Sequence, residues 1–409
     1  MIFRKKILWR RALDWLKTYH PLVIAVTGTY GKSTAAAAIE RVLKTKYTVR
    51  WTPEASPDPA AIPLAILGLA DDPASISWYR GLTRSFAREI ASEEPQALIL
   101  EIPAHRPGDL DWIARRLSPD ITVVTNVGTA NLELFVSKEN IAHELASLAI
   151  ATKGTLITNH DDVLLHALPS LSRAAALSYG TGAEADVKLT RANRLPAGQA
   201  GQREAGFALE IKTHREMAEL LVPRVIARHQ LLSLVAALAV GHALKIPLVT
   251  SAKTLYGFEP PKGRTSLAAG RRGSRIIDDS ANATPESMQQ ALETLRALPL
   301  LRQGSGGQAS RRRIAVLGDI ARLGREEETI HRHLGRQAAQ TANIVIAVGE
   351  SMRWAGTAAL QAGADVHHFD RPEDAGAWLE PALTAEDTVL ISGGREMYMS
   401  RLVERLTTP

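Results

Sequence analysis

Along the chain, short apolar runs alternate with stretches whose apolar residues recur at helical spacing. Strand-length runs fall at Leu22–Val26, Ala97–Ile102, Ile121–Thr125 and Thr155–Thr158. Helical patterns at Ser33–Leu43 and Asn140–Thr152 separate some of them. A strand buried on both faces reads as a continuous apolar run, so this alternation predicts a parallel sheet covered by helices. Residues 186–223 differ. "ADVKLTRANRL" and "GFALEIKTHREMAELLVP" alternate with period two, which predicts a small added antiparallel sheet. "RHQLLSLVAALAVGHAL" (228–244) is apolar nearly all round and predicts a buried helix.

A second alternating block begins near Phe258. Its predicted strands are Arg275–Asp278, Arg313–Leu317, Ile344–Val348 and Thr388–Ile391, with helices near Pro285–Leu298 and Glu326–Ala342. The Pro- and Gly-rich "GFEPPKGR" (257–264) predicts a linker between the blocks. The expected organisation is an N-terminal helix over 1–20, one α/β domain over 21–256 and another over 257–409. Two low-complexity patches, 196–206 and 302–313, read as surface insertions.

Length agrees with this division, since 409 residues exceed what one core ordinarily serves. Charge changes the picture more. The net charge is +6, but residues 1–20 hold six Lys/Arg and one Asp, so the remainder carries only +1. With aromatic residues at 5%, a nucleic-acid-binding surface is not indicated. Within 1–20, Ile2, Trp9, Leu13 and Leu16 share one helical face and Arg4, Lys5, Lys6, Arg10 and Arg11 lie mostly elsewhere. Such a helix either packs on the following domain or meets a partner, a membrane surface included. The chain has no cysteine, which excludes thiol chemistry and thiolate metal sites and fits a reducing cytoplasm. The longest apolar run, around Ala60–Ala70, is too short to span a bilayer.

Candidate chemistry begins at "VTGTYGKST" (26–34), where a strand runs through a glycine turn into a helix. The common phosphate loop G-x-x-x-x-G-K-[ST] needs glycine at position 26, where Val26 stands. Physically the shorter turn still suffices. The first backbone N–H groups of the helix face an anion, Lys32 reaches terminal phosphates, and the Ser33 hydroxyl can ligate Mg²⁺.

Thr-Gly-Thr-x-Gly-Lys-Ser resembles the ATP loop of the Mur ligase family, the amide-bond-forming ligases of cell-wall precursor synthesis. Later segments follow in that family's order: "LEIPAHRPGDL" (100–110), "TNVGTANLELFVSKENIA" (125–142), "ITNHDD" (157–162) and "ARHQLLSLVAALAV" (227–240). "PKGR" (261–264), "IIDDSANATPESM" (276–288), "VLGDIARLGREEETIH" (316–331) and "TVLISGGREMYM" (388–399) complete the series, from about Leu22 to Leu406. The last three are similar to the subgroup that joins D-alanyl-D-alanine to a UDP-muramoyl-tripeptide.

The resemblance implies a central P-loop ATPase domain followed by a Rossmann-like C-terminal α/β domain. It implies ATP and Mg²⁺ as cofactors, a UDP-muramoyl-peptide-like acid and a D-alanyl-D-alanine-like amine as substrates, and an acyl-phosphate route. By position, Lys32, Glu101 and Arg264 would act on the transferring phosphoryl group. Gly28, Thr29, Tyr30, Gly31, Lys32, Ser33, Thr34, Arg264, Asp279 and Asn282 would hold the nucleotide. Ser33, Glu101 and Asn131 would hold the metal. His229 either supports the nucleotide or is a helix-start histidine with a local hydrogen bond.

The chain also departs from the family pattern. About twenty residues precede the first strand, where relatives carry a domain that grips the UDP end. Asn131 stands for a histidine, Leu145 for the lysine that relatives carbamylate, Ser233 for an asparagine, Ala281 for a tyrosine, Arg322 for a glutamate and Ser392 for a lysine. His143 and Glu144 neighbour Leu145 but point elsewhere on a helix. Two further readings therefore stand beside the ligase: a non-catalytic nucleotide-binding relative, and a ligase for another acid–amine pair. His331-x-His333 and His367-His368 lack acidic partners at ligand spacing and read as surface histidines.

Overall fold

Two sheets organise the chain in the computed structural model, which describes residues 2–52, 61–68, 94–195, 206–299 and 311–407, with side chains from residue 6 onward except at Thr52. The first sheet holds β1 (Leu22–Thr27), β2 (Val49–Thr52), β3 (Ala97–Glu101), β4 (Ile121–Val124), β5 (Thr155–Asn159), β6 (Ala175–Gly180), β7 (Val187–Arg194), β8 (Phe207–Lys212) and β9 (Met217–Val222). Its order is β2-β3-β1-β4-β5-β6-β7-β8-β9. Strands β2 to β7 in that order run parallel, and β7, β8 and β9 pair antiparallel. The antiparallel block expected over 186–223 is present, and β6–β7 pairing joins it to the parallel strands.

The second sheet holds β10 (Ser266–Ala269), β11 (Arg275–Asp279), β12 (Arg313–Gly318), β13 (Ile344–Val348), β14 (Asp365–Phe369) and β15 (Thr388–Ser392), in the order β10-β11-β15-β12-β13-β14. All are parallel except β10. The central strands are the apolar runs of the sequence, because helices cover both their faces. Strands β2, β10 and β14 lie at sheet edges, bury less, and carry a correspondingly weaker apolar signal. Residues 196–205 and 302–310 of the low-complexity patches lie outside the described residues.

Helices Lys32–Leu43 and Gln230–Ala243 pack on one face of the first sheet, around Ile39, Val42, Leu234 and Leu238. The other face carries the N-terminal helix Ile2–Tyr19, the short helix Ala61–Leu67 inside the apolar run of 60–70, and helix Lys138–Ala151. The N-terminal helix buries Leu8, Trp9, Ala12 and Trp15, and Trp9 meets Trp112 edge-on at 5.3 Å. The buried seam is thus rotated from the expected face. Leu13 and Leu16 sit at its margin, partly buried against the same cluster. Lys6, Arg10, Arg11 and Lys17 are exposed. Among the described residues, no helix is long and apolar enough to cross a membrane.

The expected surface position of His331 is corrected. It is fully buried, its Nδ1 donating to Glu327 O at 2.7 Å and its Nε2 accepting from the Ile320 N–H at 3.3 Å. An imidazole with both nitrogens satisfied by backbone can sit in a core, and the apolar periodicity of helix Glu327–Ala339 turns it inward. His333 and His368 are exposed, while His367 is half-buried with its ring 4.0 Å from that of Trp378.

Candidate functional site

Strand β1 ends at Thr27, and the helix begins at Lys32 after a four-residue turn. Gly28 holds φ +126°, and a β-carbon there would stand 2.2 Å from Thr125 Oγ1. Gly31 is left-handed and caps the helix without a side chain, so the first-turn N–H groups face the cavity beyond. The end of β4 fixes the turn. Asn126 Oδ1 accepts from the Tyr30 N–H at 3.0 Å while its Nδ2 donates to Tyr30 O at 2.9 Å. Thr125 Oγ1 donates to the same carbonyl at 2.7 Å, and Asn126 O accepts from the Thr29 N–H at 3.1 Å. In the sequence, "TNVGTAN" is legible only as a motif, and Asn126 carries no task of its own there. Its signal was an amide at a strand end beside the loop strand.

Lys32 Nζ donates to Gly28 O at 3.0 Å and Thr29 O at 3.3 Å, which holds the ammonium over the turn. The Ser33 hydroxyl donates to Glu101 Oε2 at 2.7 Å, and both residues are buried. β1 and β3 are neighbours in register, so Glu101 at the tip of β3 meets the helix that follows β1. The other carboxylate oxygen accepts from Trp51 Nε1 at 3.0 Å. Trp51 lies on edge strand β2, and no motif singled it out.

One cavity brings together Thr29 to Thr34, His229, Arg264, Asp279 and Asn282. Its first wall is the loop and its second comes from the other sheet's unit. Gln230 Nε2 donates to Arg264 O at 2.5 Å, and Arg264 Nη1 to Asn282 O at 3.4 Å. Asp279 accepts from Thr265 Oγ1 at 2.9 Å and Ser392 Oγ at 2.7 Å. Burial pushes its carboxyl up to about 7, against the opposing pull of the two hydroxyls and Arg264. Burial likewise pulls His229 down to about 4, leaving a neutral ring near pH 7. His229 Nδ1 is buried and has no partner among the described residues, so that atom does not make the local hydrogen bond expected of a helix-start histidine. Burial raises the Tyr30 phenol, and a hydrogen bond with Gln290 opposes it.

A second cavity adjoins the first and shares Thr29, Lys32, Asn282 and Thr284 with it. Gly28, His105, Asn131, Arg322 and Arg395 line it too. Asn131 thus stands across this second cavity, with Nδ2 donating to Ala104 O at 3.3 Å. Leu145 is fully buried on its wall. Glu144 accepts from the Gly108 and Leu110 N–H groups at 2.9 and 2.6 Å, so it caps helix Asp109–Ala114, and His143 is exposed. Among the described residues, no three His, Asp or Glu side chains gather as a metal site. A lone carboxylate beside a hydroxyl and a phosphate-binding turn suits Mg²⁺, which takes few protein ligands and completes its shell with phosphate and water.

Residues 26–241 match the Mur ligase middle domain, and residues 263–395 match the Mur ligase glutamate ligase domain. The UDP-N-acetylmuramoyl-tripeptide–D-alanyl-D-alanine ligase of Bacillus subtilis is 29% identical over 330 residues, 80% of this chain and 62% of that protein. The chain thus spans under two thirds of the length of that relative. The Mycobacterium leprae enzyme of the same name is 26% identical over 399 residues, covering 94% of this chain and 73% of that protein. Among solved structures, a MurF ligase from Thermotoga maritima in complex with ADP superposes with TM-score 0.78 at 23% identity, over 98% of this chain and 83% of that one.

Proposed function

The chain belongs to the Mur ligase family, and we propose that it is an ATP-dependent amide-bond-forming ligase of peptidoglycan precursor synthesis. The observation that carries this reading is Ser33, bonded to the buried Glu101 and beside Lys32, facing Arg264, Asp279 and Asn282 across one cavity. Residues 21–256 would bind the phosphates, and residues 257–409 would close over the nucleotide.

The residues fit the group they would hold. The first-turn N–H groups and the Lys32 ammonium suit a polyphosphate, and the oxygens of Ser33 and Glu101 suit Mg²⁺. Bound MgATP would supply a γ-phosphoryl group that turns an unreactive carboxylate into an acyl phosphate open to amine attack. Lys32 and Arg264 neutralise charge on the phosphates from opposite walls. Trp51 fixes the rotation of the Glu101 carboxylate, and neutral His229 adds no charge beside the nucleotide.

Because the two cavities share Lys32 and Asn282, an acid in the second cavity meets the phosphate end held in the first. Positioning of this kind is the main contribution a protein makes to phosphoryl transfer. We assign the second cavity to the acid and amine, with a UDP-muramoyl-peptide-like acid and a D-alanyl-D-alanine-like amine as first choices.

The experiment is incubation with ATP, Mg²⁺, UDP-muramoyl-tripeptide and D-alanyl-D-alanine, reading the new amide by mass and phosphate release by colour. Product of the summed mass less water supports the reading. ATP binding without turnover across a panel of acids and amines supports instead a non-catalytic nucleotide-binding relative. That second reading draws on Leu145, an apolar residue on the wall of the substrate cavity.

A further inference from the structure

The helix Pro285–Ala297 belongs to the unit of the second sheet, yet one of its faces reaches the loop side of the cavity. Its start is rigidly set. Thr284 and Ser287 form a capping box, with Thr284 Oγ1 accepting from the Ser287 N–H at 3.2 Å and Ser287 Oγ accepting from the Thr284 N–H at 2.8 Å. Glu286 and Gln290 follow at spacing i and i+4 and so share a face. Glu286 Oε1 accepts from the Thr129 N–H at 2.9 Å, its Oε2 accepts from Thr129 Oγ1 at 3.1 Å, and Lys138 Nζ stands 3.2 Å away.

This contact is tied to the phosphate turn. Gly128, next to Thr129, donates its N–H to Thr29 Oγ1 at 2.8 Å. A β-carbon at Gly128 would lie 2.8 Å from Glu286 Oε2, so glycine there admits the carboxylate. We propose that Glu286 is a positioning residue: by gripping Thr129 and Lys138 across the cleft, it latches the two halves of the cavity together. A shift of the turn at Thr29 passes through Gly128 and Thr129 to Glu286, which couples occupancy of the turn to closure. That coupling rests on the nucleotide reading above; the latch itself does not.

A latch of three charge-assisted contacts at the rim should matter more to the distance between halves than to the fold of either. Because the chain has no cysteine, Ile150→Cys and Leu360→Cys, both at exposed positions on opposite halves, accept spin labels cleanly. The experiment measures the label-to-label distance distribution in the full chain. Glu286→Ala is expected to broaden it toward longer distances with thermal stability nearly unchanged. Glu286→Gln, which keeps an acceptor oxygen, should shift less, and Lys138→Met should match it. ATP affinity in Glu286→Ala should fall about tenfold. A parent-like distribution in Glu286→Ala overturns the latch, and should that variant not fold, an unshifted Lys138→Met does so. If the parent binds no ATP yet Glu286→Ala still widens the distribution, the latch stands and the nucleotide reading fails.

Discussion

The Trp51 indole donates to Glu101 Oε1 at 3.0 Å while Ser33 occupies Oε2, so both oxygens of the buried carboxylate are held before any ligand is considered. Groups that orient a metal-binding carboxylate typically matter about 10- to 100-fold for metal affinity. Trp51→Phe keeps the ring and removes only the donor. Titration calorimetry should show MgATP affinity down about tenfold, with affinity for metal-free ATP little changed. Equal losses with and without Mg²⁺ would show that Trp51 acts on the loop rather than on the carboxylate.

Asp279 provides a pH test. Its folded-state carboxyl sits near 7, above its ordinary value, because burial outweighs the hydroxyls of Thr265 and Ser392. A carboxyl raised on folding contributes stability that is complete below the unfolded value and lost as pH rises through the folded one. Stability should therefore decline between about pH 4 and pH 7, each unit of displacement corresponding to about 1.4 kcal/mol at most. Asp279→Asn should flatten that decline in urea unfolding at a series of pH values. A parallel decline in both proteins would remove Asp279 as its cause.

His229 acts in the opposite sense. Its folded value is lowered to about 4 by burial, so its contribution is present above the unfolded value of about 6.5 and lost as pH falls toward 4. His229→Gln should unfold less steeply with acid in that window. Proton resonances of the ring offer an independent check, since titration near 6.5 in the native protein would contradict the burial.

The N-terminal helix tests core against surface. Trp9 is 3% exposed and packs on Trp112, whereas Lys6 and Arg10 point to solvent. Trp9→Ala should cost about 3–5 kcal/mol, as large-to-small core changes do. Lys6→Glu with Arg10→Glu should change stability by less than about 0.5 kcal/mol. Denaturant midpoints for the two variants decide whether this helix is part of the fold.

Much of this was legible in sequence wherever burial leaves a one-dimensional trace. The central strands announce themselves because helices on both faces demand continuous apolar runs, and the glycine turn because a phosphate-binding loop needs its glycines at fixed places. Edge strands β2 and β14 were silent, being half-exposed and mixed in polarity. Trp51 and Asn126 were silent for another reason. Their tasks come from register between β2, β3, β1 and β4, which brings distant residues to one sheet end. His331 misled because a histidine satisfied by two backbone groups leaves no mark in its neighbours' charge. Glu286 lay inside a recognised motif, but its partner Thr129 is 157 residues away.

The central claim is that the Gly28–Ser33 turn holds a nucleotide polyphosphate through Lys32, with Mg²⁺ on Ser33 and Glu101. Titration of the intact chain with ATP and Mg²⁺, beside Lys32→Ala, tests it most directly. Binding by the parent and a loss of roughly 100-fold or more in the variant, about 2.7 kcal/mol, is the predicted result. Equal affinity in the two proteins would contradict it.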